Sequence, residues 1–179
     1  MLKRIAALLL VVIAISLQGC VSVTESLQSY ADNYDGYSFL YPTGWVPVTV
    51  AEGPDVVFRD IINSTENVSV VISPVSEGKT LEDLGTPTEV GYKLSKSINA
   101  FTDSDRDVQL VDAQAVESGE LTYYILEYVA DLPAGIRHNL ASVIVRRGKL
   151  FTFNASTPEA RWSKIEGALR QSVESFSVY

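Results

Sequence analysis

Cys20 is the only cysteine in this 179-residue chain, and it closes a short apolar run at the N-terminus. No disulfide can staple the fold, so a packed core must hold it. Lys3 and Arg4 form a positively charged start, and Ile5 to Leu17 is apolar but too short to span a bilayer comfortably. Leu17-Gln18-Gly19-Cys20 then reads as a bacterial lipobox, with Gln18 departing from the small or branched residue usual at that place. The expected organisation is a lipoprotein signal peptide over residues 1–19, a lipidated N-terminus and flexible tether over 20–35, and one folded domain over 36–179. Acylation at Cys20 with two or more chains suffices for stable membrane anchoring.

Charge narrows the partners. The formal charge of −8 becomes −10 once Lys3 and Arg4 leave with the signal, which disfavours nucleic acid and loose attraction to anionic headgroups. The 160 residues from Cys20 onward are one domain in length and can bury an adequate core. Val21 to Asn33 is polar and weakly patterned, the composition of a tether.

From Tyr37 the pattern turns to short β-type runs cut by turn residues. Tyr37–Tyr41, Trp45–Val50, Val56–Ile62 and Val68–Ser73 read as strands, followed later by Leu121–Ala130 and by Asn139–Ser156 broken at Arg147-Gly148. Two segments have a helical period instead. Thr86-Pro87-Thr88-Glu89 is a capping box with proline at the first helical position, and Val90, Leu94, Ile98 and Phe101 follow on one face. Thr157-Pro158-Glu159 has the same look, leading into the stripe of Trp162, Ile165, Leu169, Val173 and Phe176. Both stripes are expected to face the core. The order predicts an α+β fold, an antiparallel β-sheet sandwiched by helices.

Catalytic constellations are scarce. His138 is the only histidine, so neither a zinc-protease pair nor a two-histidine metal triad can be built. The chain has no G-x-S-x-G elbow and no glycine-rich dinucleotide loop. A hydrolase reading would have to assemble Ser142 or Ser156 with His138 from a distance. Asp103-Ser104-Asp105-Arg106-Asp107 has the alternating carboxylates of a calcium loop, but Val108 and Gln114 stand where the turn glycine and the bidentate glutamate are needed. His138 with Asp131 would make a modest zinc or manganese site, the alternative being a structural hydrogen bond from the imidazole. Arg146, Arg147 and Lys149 crowd one hairpin turn and form the candidate docking patch for an oppositely charged partner.

The order of motifs resembles a known family. Phe39 to Pro47, Val57-Phe58-Arg59-Asp60, Asn67-Val68-Ser69-Val70 and Leu84-Gly85-Thr86-Pro87 resemble successive blocks of the PsbP family of photosystem II proteins. Tyr123 to Tyr128, Arg137 to Leu140, Gly148 to Phe151 and Arg161-Trp162 continue the likeness in the same order, so that it covers almost all of Tyr37 to Phe176. With the lipobox in front, the chain is similar to the family's cyanobacterial lipoprotein members.

The resemblance implies a non-enzymatic extrinsic protein with an α-β-α sandwich, on the lumenal side of the thylakoid membrane. The periplasmic side of the plasma membrane is the alternative location. Its implied partners are photosystem II reaction-centre subunits or assembly intermediates. Plant members use an N-terminal extension to retain calcium and chloride; here that place holds the anchor and a short linker, which points to assembly work. No cofactor is required by this reading, and zinc, manganese or calcium would be weakly bound. The rival is a lipoprotein of the same fold that carries a small ligand or metal outside photosystem II, and it predicts an apolar pocket between sheet and helix.

Overall fold

The structure, a computed structural model, describes residues 26–51, 53–100 and 107–179. The lipobox with Cys20 and most of the Asp103–Asp107 loop lie outside the described residues.

Alternating apolar runs lock into two antiparallel sheets. The first has three strands in the order β1 (Leu27–Asp32), β2 (Tyr37–Pro42) and β10 (Ser177–Val178). The second has seven, in the spatial order β3 (Trp45–Pro47), β4 (Val56–Asp60), β5 (Asn67–Pro74), β9 (Lys149–Pro158), β8 (Gly135–Arg146), β7 (Leu121–Leu132) and β6 (Asp107–Ser118). Among the described residues three α-helices accompany the sheets: α1 (Leu81–Leu84), α2 (Pro87–Ala100) and α3 (Trp162–Glu174).

The strand β1 corrects the expected tether. Leu27 to Asp32 pairs in register with Pro42 to Tyr37, so these residues belong to the folded domain, whose described part begins at Ser26. Its two large apolar residues, Leu27 and Tyr30, are three apart and show no strand period in sequence. They nonetheless pack on the core, and Tyr30 meets Phe58 edge-on at 5.2 Å. Tertiary pairing overrides a weak local signal here.

Each face of the seven-stranded sheet buries its own core. On one side Phe39, Phe151, Phe153, Leu169, Val173 and Phe176 pack between the large sheet, the small sheet and α3. Phe153 meets Phe39 at 4.6 Å and Phe176 at 5.2 Å, both favourable aromatic separations. On the other side Leu126, Tyr124 and Val143 pack beneath Leu81 and Val90 of α1 and α2. The helix–sheet–helix layering of the sequence reading is observed, with the small sheet as an addition beside α3.

Local signals account for the helices unevenly. The Thr86–Glu89 capping box forms: the Thr86 amide donates to Glu89 Oε2 at 2.8 Å and the Glu89 amide to Thr86 Oγ1 at 3.3 Å. Gly91 lets α2 settle on β6, since a Cβ there would stand 2.8 Å from the Leu110 side chain. Thr157 does not cap the last helix. It belongs to β9, and a 3-10 turn over Glu159–Arg161 leads into α3 instead. The Thr157 hydroxyl goes to the buried Glu66 carboxylate, 3.0 Å away.

Both edges of the large sheet are interrupted. β3 has three residues and ends at Pro47, and β6 shifts register between Leu110 and Asp112. No helix among the described residues is long and apolar enough to cross a membrane.

Candidate functional site

Two features stand at the end of the domain where the chain enters. The first is built on the inward face of β7 and β8. Glu127 shares that face with Tyr123 and Ile125, and the register places it opposite Leu140, one step along from His138. His138 is buried, and its Nε2 lies 2.9 Å from Glu127 Oε1 while its Nδ1 lies 2.8 Å from Glu159 Oε2. A neutral imidazole carries one N–H, so both contacts are hydrogen bonds only when the ring holds both protons.

Helix α3 closes this cluster. Trp162 stacks on the imidazole with centroids 3.7 Å apart and planes 9° from parallel. Arg170, two turns on, donates to Glu127 Oε2 and to Glu166 Oε1 at 2.8 Å each and lies 5.4 Å from the Trp162 ring. Burial works against charge on Glu127, but the bonds from Arg170 and His138 outweigh it and hold the carboxyl below its ordinary range. Arg170 is held above its ordinary value, chiefly by its bond to Glu166 and then by Glu127. The result is a charged chain, Glu166–Arg170–Glu127–His138–Glu159, that ties α3 to the sheet.

The second feature is an open groove of about 690 Å³ lined by Ser26, Thr43, Trp45, Ile61, Ile62 and Arg161, among others. Its floor holds Glu66, whose side chain is fully buried yet paired with Arg161 and bonded by Thr157. The loop between β4 and β5 is wound on Asp60, which accepts the Ile62 amide at 2.9 Å and the Asn63 side chain at 2.8 Å. Burial opposes ionisation of Asp60, but these bonds, with Arg161 nearby, keep its carboxyl low.

Asp131 is not brought to the imidazole. It is exposed on β7, opposite Ile136 and Asp107, and the carboxylates at His138 are Glu127 and Glu159. Among the described residues no group of three or more His, Cys, Asp or Glu is arranged to hold a metal. Ser142 and Ser156 do not pair with His138 either; the Ser156 hydroxyl accepts from Arg137 at 2.9 Å. The hairpin cations are not a free patch. Arg147 donates to the Asp35 carbonyl at 2.5 Å and Lys149 to the Asp35 carboxylate at 2.7 Å, so two of the three are spent on the β1–β2 turn. The cavity between sheet and helix, bounded by Tyr123, Ile125, Leu140 and Phe176 together with Gln114, Arg170 and Glu174, is about 180 Å³ and of mixed polarity. Small-molecule sites are usually 300–1,000 Å³, so this one does not support a ligand carrier.

Sequence reasoning missed Glu127, Glu159, Arg170 and Glu66. Glu127 left a trace, because it interrupts the inward-facing apolar positions of Tyr123 to Val129 with a charge that demands a partner. Glu66 left none, being one polar residue in a polar loop.

Fold and site together describe a chain whose conspicuous polar clusters brace the structure. A family model described as PsbP matches residues 25–178. The chain belongs to the PsbP family. It is 49% identical to CyanoP of Thermosynechococcus vestitus over the full length of both, and 43% identical to CyanoP of Synechocystis sp. over 99% of this chain and 97% of that one. The solution structure of the Synechocystis protein matches with a TM-score of 0.75 at 46% identity, covering 92% of this chain and 99% of that one. PsbP-like protein 1, chloroplastic, of Arabidopsis thaliana is 34% identical over 83% of this chain and 63% of its own length.

Proposed function

We propose that this chain is a membrane-tethered extrinsic protein on the lumenal face of the thylakoid, binding photosystem II and assisting its assembly or stabilising its oxygen-evolving side. One observation carries the reading. The likeness to the Thermosynechococcus CyanoP runs over the whole chain, so it takes in the segment with Cys20 as well as the domain.

In this reading Cys20 carries the acyl chains and the domain does no covalent chemistry. Tethering raises the effective concentration of a weak binder beside membrane-embedded partners, so that binding stays reversible without loss of the protein to the lumen. The charged chain around His138 supports a rigid binding surface, since its carboxylates and imidazole are already committed to one another.

The test is a mild-detergent pull-down of the tagged full chain from its own membranes, beside a Cys20→Ala form. The expected outcome is enrichment of photosystem II reaction-centre subunits and assembly factors, weakened without the acylated cysteine. Equal recovery with an unrelated lipoprotein would sink the reading.

A further inference from the structure

The β4–β5 loop presents two isoleucines to solvent beside the point where the chain enters the domain. Ile61 is 64% exposed and Ile62 88%, unusual for large aliphatic side chains in a protein with two filled cores. They are not on a loose loop. Asp60 binds the Ile62 amide and the Asn63 side chain, the Glu66 amide donates to the Asn63 carbonyl at 2.8 Å, and the Asp60 amide donates to the Glu66 carbonyl at 3.1 Å. Arg137 reaches in from β8 to the Thr65 carbonyl at 2.5 Å. A surface that binds through these side chains pays little to order them.

The position of the loop says what it meets. Ser26 and Ile62 line the same groove. Ser26 is fixed there, because its carbonyl accepts from the Thr43 amide at 2.9 Å and from the Thr43 hydroxyl at 2.7 Å. Ser26 is the sixth residue after Cys20, with five between them, and six residue steps span at most about 20–22 Å fully extended. The β1–β2 hairpin carries its turn, with Tyr34, roughly 20 Å farther from Ser26, at about 3.4 Å per residue. A bilayer holding Cys20 therefore faces the groove end.

We infer that the Ile61–Ile62 loop inserts into the lipid headgroup boundary of the membrane that holds Cys20 and sets the orientation of the domain on it. The inference rests on the anchored reading proposed above. The acyl chains supply the affinity, and the loop supplies a second, shallow contact that limits tilt; apolar side chains at such a boundary sit some 5–10 Å deep. The chain's strong negative charge would keep other faces off an anionic leaflet, while at this tip Arg59 is exposed and the Asp60 and Glu66 carboxylates are already bonded.

The test uses the full chain, acylated in a host that processes lipoproteins, with an environment-sensitive fluorophore on Ile62→Cys. Acylation of Cys20 leaves the introduced thiol as the only reactive one. Ile61→Cys serves as a second loop position, and Tyr34→Cys, 94% exposed at the far turn, as the control. In vesicles of phosphatidylcholine and phosphatidylglycerol, the loop labels should shift to the blue and lose roughly half or more of their emission to shallow spin-labelled lipid, with Tyr34→Cys unchanged.

Acylated protein that floats with the vesicles but shows unquenched loop labels overturns the insertion and leaves the anchor standing. A chain whose Cys20 is unmodified by mass and that does not float removes the anchor and the insertion together. Loop labels shielded from aqueous iodide in native membranes but not in protein-free vesicles assign the groove to a protein partner and overturn the lipid assignment.

Discussion

His138 lies flat against Trp162, 3.7 Å between ring centroids, while both of its nitrogens face carboxylates on different elements. The stack makes the imidazole a bridge between β8, β7 and the start of α3. Replacing His138 by alanine removes its contacts with the Glu127 and Glu159 carboxylates and one face of the Trp162 packing. Glu159 is half-exposed and can rehydrate, and Glu127 keeps Arg170, so the expected loss is about 2–3 kcal/mol. Urea unfolding measures it, with a red shift of Trp162 emission as the local signature.

Acid should loosen the same cluster. The Glu127 carboxyl is held below its ordinary value of about 4.5, so its contribution is complete above that pH and is lost as pH falls through the lowered folded value. The native state binds fewer protons than the unfolded chain there, so stability rises with pH through that range and is lost on acidification. Glu127→Gln should be less stable near neutrality and show a shallower decline below pH 4.5, read from urea midpoints between about pH 3 and 7.

Glu66 predicts a larger effect at neutral pH. Its side chain is fully buried, and it holds the Arg161 guanidinium and the Thr157 hydroxyl across the β5–β9 boundary. Glu66→Ala removes the buried carboxylate that both Arg161 and Thr157 bond and should cost about 3–5 kcal/mol. Chemical denaturation with the native spectrum checked beforehand would establish it; a change under 1 kcal/mol, roughly that of an exposed pair, would contradict the account.

Gly36 sits at φ +73° in the β1–β2 turn, and a Cβ there would lie 2.8 Å from both terminal nitrogens of Arg147. Gly36→Ala meets the left-handed backbone cost of about 1–2 kcal/mol and also displaces the guanidinium from the Asp35 carbonyl. A thermal unfolding midpoint lowered by several degrees is expected. Arg147→Ala should recover part of the loss in the double variant, because the clash with the guanidinium then disappears and only the close approach to the Tyr179 carbonyl, 3.0 Å, remains.

The strands that were legible in the sequence are those with turn residues at both ends and alternation between, such as Tyr37 to Tyr41 and Val68 to Ser73. β6 was not legible. It is an edge strand with most side chains exposed, and the register shift at Leu110 breaks its period. β10 has two residues and exists only because β2 is there to pair with it. At the site, the importance of His138 was visible as the only histidine, but its partners were not. Glu159 is 21 residues away and Glu127 is 11, and only the hairpin register and the 3-10 turn bring them together. The basic hairpin misled for the same reason, since Asp35 is more than 110 residues from the cations it engages.

The interrupted edges of the large sheet bear on how such a chain behaves when it is crowded. Molecules confined to a surface collide often and in similar orientations, conditions under which unpaired strands join into ribbons. Here one margin stops after three residues at a proline that offers no amide, and the other is kinked and carries Asp107, Asp112 and Glu117. Neither margin of the large sheet offers a neighbouring molecule a straight, open strand to pair with.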